Sequence, residues 1–136
     1  MINKIKFNGS EKPTLGVELE LFTANSNNYA LTHGAPDILK HFSDNFFFKE
    51  ELLQCIVEIT TDVCDNVDEI YNDLRPKIDM AIEYANSRDM ELLSMPIHPF
   101  SRVSEQKVSD NDRYIQFLDR MQWPLRRLLK IGRAHV

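Results

Sequence analysis

The stretch that decides the fold is Thr14-Leu15-Gly16-Val17-Glu18-Leu19-Glu20-Leu21-Phe22. Leucine or valine occupies every second position from Leu15 to Leu21, and Glu18 and Glu20 stand between them. Because successive side chains of a strand point to opposite faces, this alternation predicts a half-buried strand with both glutamates on its open face. One packed face and one solvated face are typical of an antiparallel sheet.

The remaining chain predicts helices and further strands around this one. Apolar residues at helical spacing make residues 66–88 the clearest helix, with Asn66 as its cap. A last helix is expected from about Asp112, burying a face that includes Tyr114 and Phe117. The other predicted elements are a short helix at 36–42, β structure at 46–48 and 52–61, a strand at 91–95 and a loop at 96–110. This order predicts a single α+β domain, an antiparallel sheet with packed helices.

Charge and composition exclude several classes of function. Sixteen Lys and Arg against 21 Asp and Glu give a net charge of −5, which argues against a nucleic-acid partner. Apolar runs such as Phe46-Phe47-Phe48 are far shorter than the ~20 residues that span a bilayer, so no membrane partner is expected. Without a signal peptide, Cys55 and Cys64 are expected to be reduced, buried thiols of a cytoplasmic protein.

Carboxylates on strands are the strongest chemical signal. Glu18 and Glu20 would lie roughly 6–7 Å apart along one face. Such oxygen ligands suit Mg²⁺, although an ordinary solvated strand face would also carry glutamates. Glu58 shares its predicted face with Ile56, which is unusual for a purely solvated face. If the two strands are neighbours, three carboxylates converge; the alternative is that Glu58 pairs with a basic residue.

A second signal lies near the end of the chain. His98 stands between Pro96 and Pro99, so rigid flanks would position its side chain. Arg113, with basic residues of the preceding loop, could close over an anionic ligand. The alternative is a solvated loop followed by a helix cap.

Four segments, taken in order, resemble the bacterial glutamate–cysteine ligases of type 2, a family of carboxylate–amine ligases related to glutamine synthetase. The resemblance covers roughly residues 8–129. It implies an incomplete glutamine-synthetase-like fold, in which an antiparallel sheet forms a funnel-like active site backed by helices. The segments are Gly16-Val17-Glu18-Leu19-Glu20, Glu51-Leu52-Leu53-Gln54-Cys55-Ile56-Val57-Glu58-Ile59, Met95-Pro96-Ile97-His98-Pro99-Phe100 and Asp112-Arg113-Tyr114.

The resemblance implies an ATP-dependent reaction of glutathione biosynthesis. ATP phosphorylates the γ-carboxylate of L-glutamate, and the amine of L-cysteine, or another amine, displaces phosphate to give γ-glutamylcysteine. Catalysis rests on positioning and on charge neutralisation by Mg²⁺, and no side chain of this chain is assigned as catalytic. The resemblance implies that Glu18, Glu20 and Glu58 bind Mg²⁺, and that His98 and Arg113 lie near nucleotide or glutamate.

Glu51 also matches an acidic position of the family. Simple alternation along 52–61 places Glu51 on the face opposite Glu58. Either a bulge intervenes or Glu51 is not a ligand.

The end of the chain departs from the family, which continues with a glycine and a His-x-His strand. Ile131–Val136 is what ATC GGA AGA GCA CAC GTC encodes, a stretch of a widely used sequencing adapter. We therefore expect residues 1–129 to be the N-terminal part of a catalytic domain, 130–136 to be non-native, and the fragment to be inactive. A homo-oligomer stays possible. The alternative function is a small acidic α+β interaction domain without catalysis.

Overall fold

One four-stranded antiparallel sheet organises the part of the chain that the structure describes, Gly9 and residues 11–121 of a computed structural model. The strand order is β2-β3-β1-β4, and every neighbouring pair is antiparallel. This confirms the predicted α+β class. The elements are β1 (Glu18–Asn25), α1 (Ala35–His41), β2 (Phe48–Glu50), β3 (Ile56–Thr60), α2 (Val67–Asn86), β4 (Met90–Leu93), a 3₁₀ turn (Val103–Glu105) and α3 (Asp112–Arg120).

The central pair, β1 and β3, separates a packed face from an open face. Leu21 of β1 and its partner Val57 of β3 are buried, as is Ile59. Glu20, one residue before Leu21, lies on the opposite face with its own partner Glu58. The predicted alternation is therefore confirmed. The strand runs on to Asn25, three residues beyond the alternating stretch that ends at Phe22.

Two helices cover the packed face. The cap predicted for α2 is present: Asn66 Oδ1 accepts the Glu69 N–H at 2.9 Å, and the Glu69 carboxylate accepts the Asp65 N–H at 2.7 Å. The Lys77 ammonium, almost buried, donates to the Asp73 carboxylate at 2.6 Å and to the Thr60 carbonyl at 3.1 Å. These bonds tie α2 to the end of β3.

Two predictions of local structure are wrong. Residues 52–61 do not form one strand, because β3 begins only at Ile56, after a tight turn in which the Ile56 N–H donates to the Leu53 carbonyl at 2.9 Å. The apolar face of α3 is not buried among the described residues, and Phe117 is 40% exposed. Helical periodicity shows that α3 has an apolar face, but it does not show which element, if any, packs against that face. The segment 130–136 lies outside the described residues.

Both cysteines are buried and unpaired with each other, as predicted. Burial raises the pKa of the Cys55 thiol to about 11. Burial, followed by the negative charges of Asp73 and Glu69, raises the pKa of the Cys64 thiol. Neither thiol is activated as a nucleophile. Of the helices in the described part of the chain, none has the length and apolarity needed to cross a membrane.

Candidate metal centre

Three carboxylates meet on the open face of the sheet. Glu20 of β1 and Glu58 of β3 are direct cross-strand partners, and Lys49 of β2 is the partner of Glu58 on its other side. Glu51 stands two positions after Lys49 and so continues on the same face. Each of Glu20, Glu51 and Glu58 offers an oxygen, and the three oxygens lie within 4.8 Å of one another. We call these three residues the carboxylate cluster.

The placement of Glu51 corrects the expectation that it faces away from Glu58. The expectation assumes one continuous strand from Glu51 to Glu58. A turn separates Glu51 from β3, so simple alternation does not apply between them. Glu51 directly follows β2 and stands two positions after Lys49, the partner of Glu58, so it lies on the same face as Glu58. Its carboxylate also accepts the Leu52 N–H at 2.8 Å.

Glu18 lies on the same face but outside the carboxylate cluster. Its partner on β3 is Thr60, and this pair lies two residue pairs along the strands from the pair of Glu20 and Glu58. It remains close enough for its negative charge to raise the pKa of Glu20. The structure thus brings together Glu20, Glu58 and Glu51, and leaves Glu18 at the margin.

The carboxylate cluster is electrostatically strained. Partial burial raises the pKa of Glu20, and the negative charges of Glu51, Glu58 and Glu18 raise it further. Like charges directly opposite each other on paired strands destabilise the pair. One ammonium, Lys49 Nζ, lies 3.5 Å from the Glu58 carboxylate. One positive charge does not balance three carboxylates, so a divalent cation would relieve the repulsion.

A cavity opens beside the carboxylate cluster on the same face. Its volume is about 310 Å³. Four of its six lining residues are apolar, and the other two carry a hydroxyl and a carboxylate. The lining residues are Glu20, Phe22, Ile56, Ser94, Met95 and Pro96. Such a mixture suits a small organic ligand held next to the carboxylate oxygens.

His98 is committed to backbone contacts. Its Nδ1 accepts the Ser101 N–H at 3.1 Å, so the proton lies on Nε2, which donates to the Tyr29 carbonyl at 2.8 Å. The side chain is 9% exposed and Phe100 packs against it edge-on. In this structure His98 holds the loop that follows the cavity wall. Its contact with nucleotide or glutamate stays a prediction.

Arg113 lies in the first turn of α3. Its N–H donates to Asn111 Oδ1 at 2.9 Å, and its guanidinium carbon lies 5.9 Å from the centre of the Tyr114 ring. Burial and then Glu51 raise the pKa of Tyr114, while the positive charge of Arg113 lowers it. Arg113 and Glu51 therefore act on the same phenol. The predicted ligand contact of Arg113 stays a prediction.

Sequence reasoning missed the role of Tyr114 itself. The helical pattern assigned Tyr114 to a buried face, but its hydroxyl donates to the Glu50 carbonyl at 3.0 Å. The Asn111 side-chain amide donates to the Glu50 carboxylate. The available signal was chemical, since a tyrosine usually directs its hydroxyl to a polar partner.

Comparison with known proteins decides the family. Residues 14–135 match the sequence model of glutamate–cysteine ligase family 2. The chain belongs to this family. The resemblance inferred from the four segments is confirmed, and the matched residues include the sheet that carries the carboxylate cluster.

Several curated relatives of this chain come from mycobacteria. "Putative glutamate–cysteine ligase 2" of Mycobacterium tuberculosis (strain ATCC 25618 / H37Rv) is 37% identical over 133 residues, which is 98% of this chain and 35% of that protein. The protein of the same name from Mycobacterium ulcerans is 34% identical over 98% of the chain and 34% of its own length. "Putative glutamate–cysteine ligase 2-1" of Mycobacterium sp. (strain JLS) is 32% identical, again over 98% and 35%. The chain therefore spans about a third of the length of these relatives.

Proposed function

We propose that this chain supplies the metal-binding wall of an ATP-dependent ligase that forms γ-glutamylcysteine from L-glutamate and L-cysteine. The observation that supports the proposal is the convergence of Glu20, Glu51 and Glu58 oxygens within 4.8 Å on an open sheet face. Membership of glutamate–cysteine ligase family 2 supports the reaction class.

The carboxylate cluster fits Mg²⁺. Its donors are all carboxylate oxygens, which hard divalent cations prefer, and the open face leaves room for waters and phosphate oxygens. Glu20, Glu51 and Glu58 would hold the ion, with Glu18 adding negative charge from the margin. When bound, Mg²⁺ would neutralise charge on the ATP phosphates during phosphoryl transfer.

The proposed reaction needs no nucleophile from the protein. An oxygen of the glutamate γ-carboxylate forms a bond to the γ-phosphorus of ATP, and ADP leaves. The amine nitrogen then bonds to the acyl carbon, the C–O bond to phosphate breaks, and the amine loses a proton. The apolar side chains of Phe22, Ile56 and Met95 beside Glu20 would keep water from the acyl phosphate.

Arg113 and His98 serve this reaction in different ways in our proposal. The exposed Arg113 guanidinium, beside the Tyr114 ring, would meet a phosphate or the glutamate α-carboxylate. His98, through its bonds to Tyr29 and Ser101, would keep the loop beside the cavity in place.

The complete reaction requires more protein in this proposal. Because the relatives are about three times as long, residues 1–136 alone are expected to be inactive. The cytoplasmic location of the protein stays a prediction. So do L-cysteine or another amine as the acceptor and the assembly into a homo-oligomer.

A product assay on the complete protein tests the proposal. ATP, L-glutamate and a panel of amines are supplied with Mg²⁺, and γ-glutamyl products are measured. Glu20→Gln and Glu58→Gln should each strongly reduce ligation with the fold intact, while Glu83→Gln on the exposed side of α2 controls for the change in charge. Equal turnover by all variants at saturating Mg²⁺ would refute the metal assignment. Absence of any γ-glutamyl product and of divalent-cation binding would favour the acidic interaction domain.

A further inference from the structure

Segment 107–111 is bound along the turn that carries Glu51. The Gln54 N–H donates to the Lys107 carbonyl at 2.9 Å, and the Gln54 side-chain amide donates to the Val108 carbonyl at 3.1 Å. The Ser109 N–H donates to the Leu52 carbonyl at 2.9 Å, and the Ser109 hydroxyl donates to the carbonyl of Glu51 itself. Ser109 is 6% exposed, so these bonds are shielded from water.

The first turn of α3 adds contacts on the other side of Glu51. The Tyr114 hydroxyl donates to the Glu50 carbonyl at 3.0 Å. That carbonyl belongs to the peptide group that joins Glu50 to Glu51. Side-chain hydroxyls therefore hold the peptide groups on both sides of the Glu51 α-carbon.

Glu51 needs such support more than its two neighbours do. Glu20 and Glu58 lie within β1 and β3, where the ladder of the central strand pair fixes their backbones. Glu51 lies just after β2 ends at Glu50 and before the turn to β3. Its position depends on contacts from outside the sheet.

We propose that Ser109 and Tyr114 are positioning residues for Glu51, holding its carboxylate in the geometry that binds a divalent cation. The proposal rests on the proposed function, since it takes the carboxylate cluster to be the metal site. Groups that orient a metal ligand without touching the metal commonly change its affinity by ~10-fold or more.

The test measures Mn²⁺ affinity of the complete protein by electron paramagnetic resonance of the free ion, which does not depend on turnover. Tyr114→Phe and Ser109→Ala each remove one hydroxyl and keep most of the side chain. Each should raise the Mn²⁺ dissociation constant about fivefold to tenfold. Tyr84→Phe and Ser87→Ala remove hydroxyls on α2, away from the cluster, and should leave the constant unchanged.

A double-mutant cycle separates positioning from a general loss of stability. In a Glu51→Gln background, Tyr114→Phe and Ser109→Ala should have no further effect on Mn²⁺ affinity, because the group they position has been removed. An equal loss with and without Glu51 would overturn the proposal. Unchanged Mn²⁺ affinity in both variants, even with a lowered melting temperature, would also overturn the positioning role. That result would leave the metal site itself unaffected. A wild-type protein that binds no Mn²⁺ would overturn both the metal site and the positioning role.

Discussion

Replacing Glu51 with glutamine should have opposite effects on the metal-free and metal-loaded protein. At a separation of 4.8 Å, two unit charges in a water-like dielectric repel by about 0.9 kcal/mol, and that dielectric is appropriate because Glu20 is largely exposed. Glu51→Gln removes one of the carboxylates that raise the pKa of Glu20. The free energy of unfolding of the metal-free variant should therefore be about 1 kcal/mol higher than that of wild type. Its melting temperature should be about 4 °C higher.

With saturating Mn²⁺ the order should reverse. Loss of one of three ligands should weaken binding by at least about tenfold, and each tenfold removes about 1.4 kcal/mol of stabilisation by the ion. The assay is thermal unfolding of the 136-residue chain at low concentration and neutral pH, with EDTA or with Mn²⁺. Glu83→Gln, which makes the same change in net charge, should behave as wild type under both conditions. A Glu51→Gln chain that is less stable in EDTA, or that keeps the full stabilisation by Mn²⁺, would refute the reasoning.

Three further results are expected. Because the pKa of Glu20 in the folded chain is raised above its ordinary value of 4.5, its contribution to stability is present at low pH and is lost as pH rises through the raised value. The metal-free stability of wild type relative to Glu20→Gln should therefore fall as pH rises above 4.5, and a difference that does not change with pH would contradict this. Cys55 and Cys64 should react with a thiol reagent only after unfolding, and the double Cys→Ser variant should bind Mn²⁺ as wild type does. Thr23→Val should cost about 1–3 kcal/mol in urea unfolding, because the fully buried Thr23 hydroxyl accepts the Gly34 N–H at 3.2 Å and valine leaves that donor unpaired; an unchanged midpoint would exclude the hydrogen bond.

The parts of the fold that could be predicted are those with an unambiguous local pattern. Alternation located β1 and the face of Glu20, and the Asn66 cap with helical spacing located α2. The sequence predicts that the carboxylates converge only if β1 and β3 are neighbours, and the structure shows that they are. The Glu20–Glu58 pair could be anticipated because both residues lie within real strands.

Glu51 and Tyr114 show why the remainder could not be predicted. The face of Glu51 depends on where a turn begins, and Leu52, Leu53 and Cys55 continue the apolar character of the strand that follows them. The hydroxyl of Tyr114 finds its partner in a residue far away in the chain, which periodicity within one helix does not reveal. Contacts that depend on tertiary docking leave little trace in a local pattern.

The cross-strand pair of Glu20 and Glu58 also guards against mispairing during folding. If β1 slipped by one residue against β3, its side chains would exchange faces, and Glu20 would turn toward Ala81 and Ala85 of α2. An ionised carboxylate in that apolar layer would lack a partner and would cost several kcal/mol, about as much as a small domain's whole stability. A slip of one residue is thus excluded, because only shifts by an even number of residues keep the glutamates solvated and the leucines buried. The charge of Glu20 and Glu58 would thus keep β1 and β3 from pairing one residue out of register during folding.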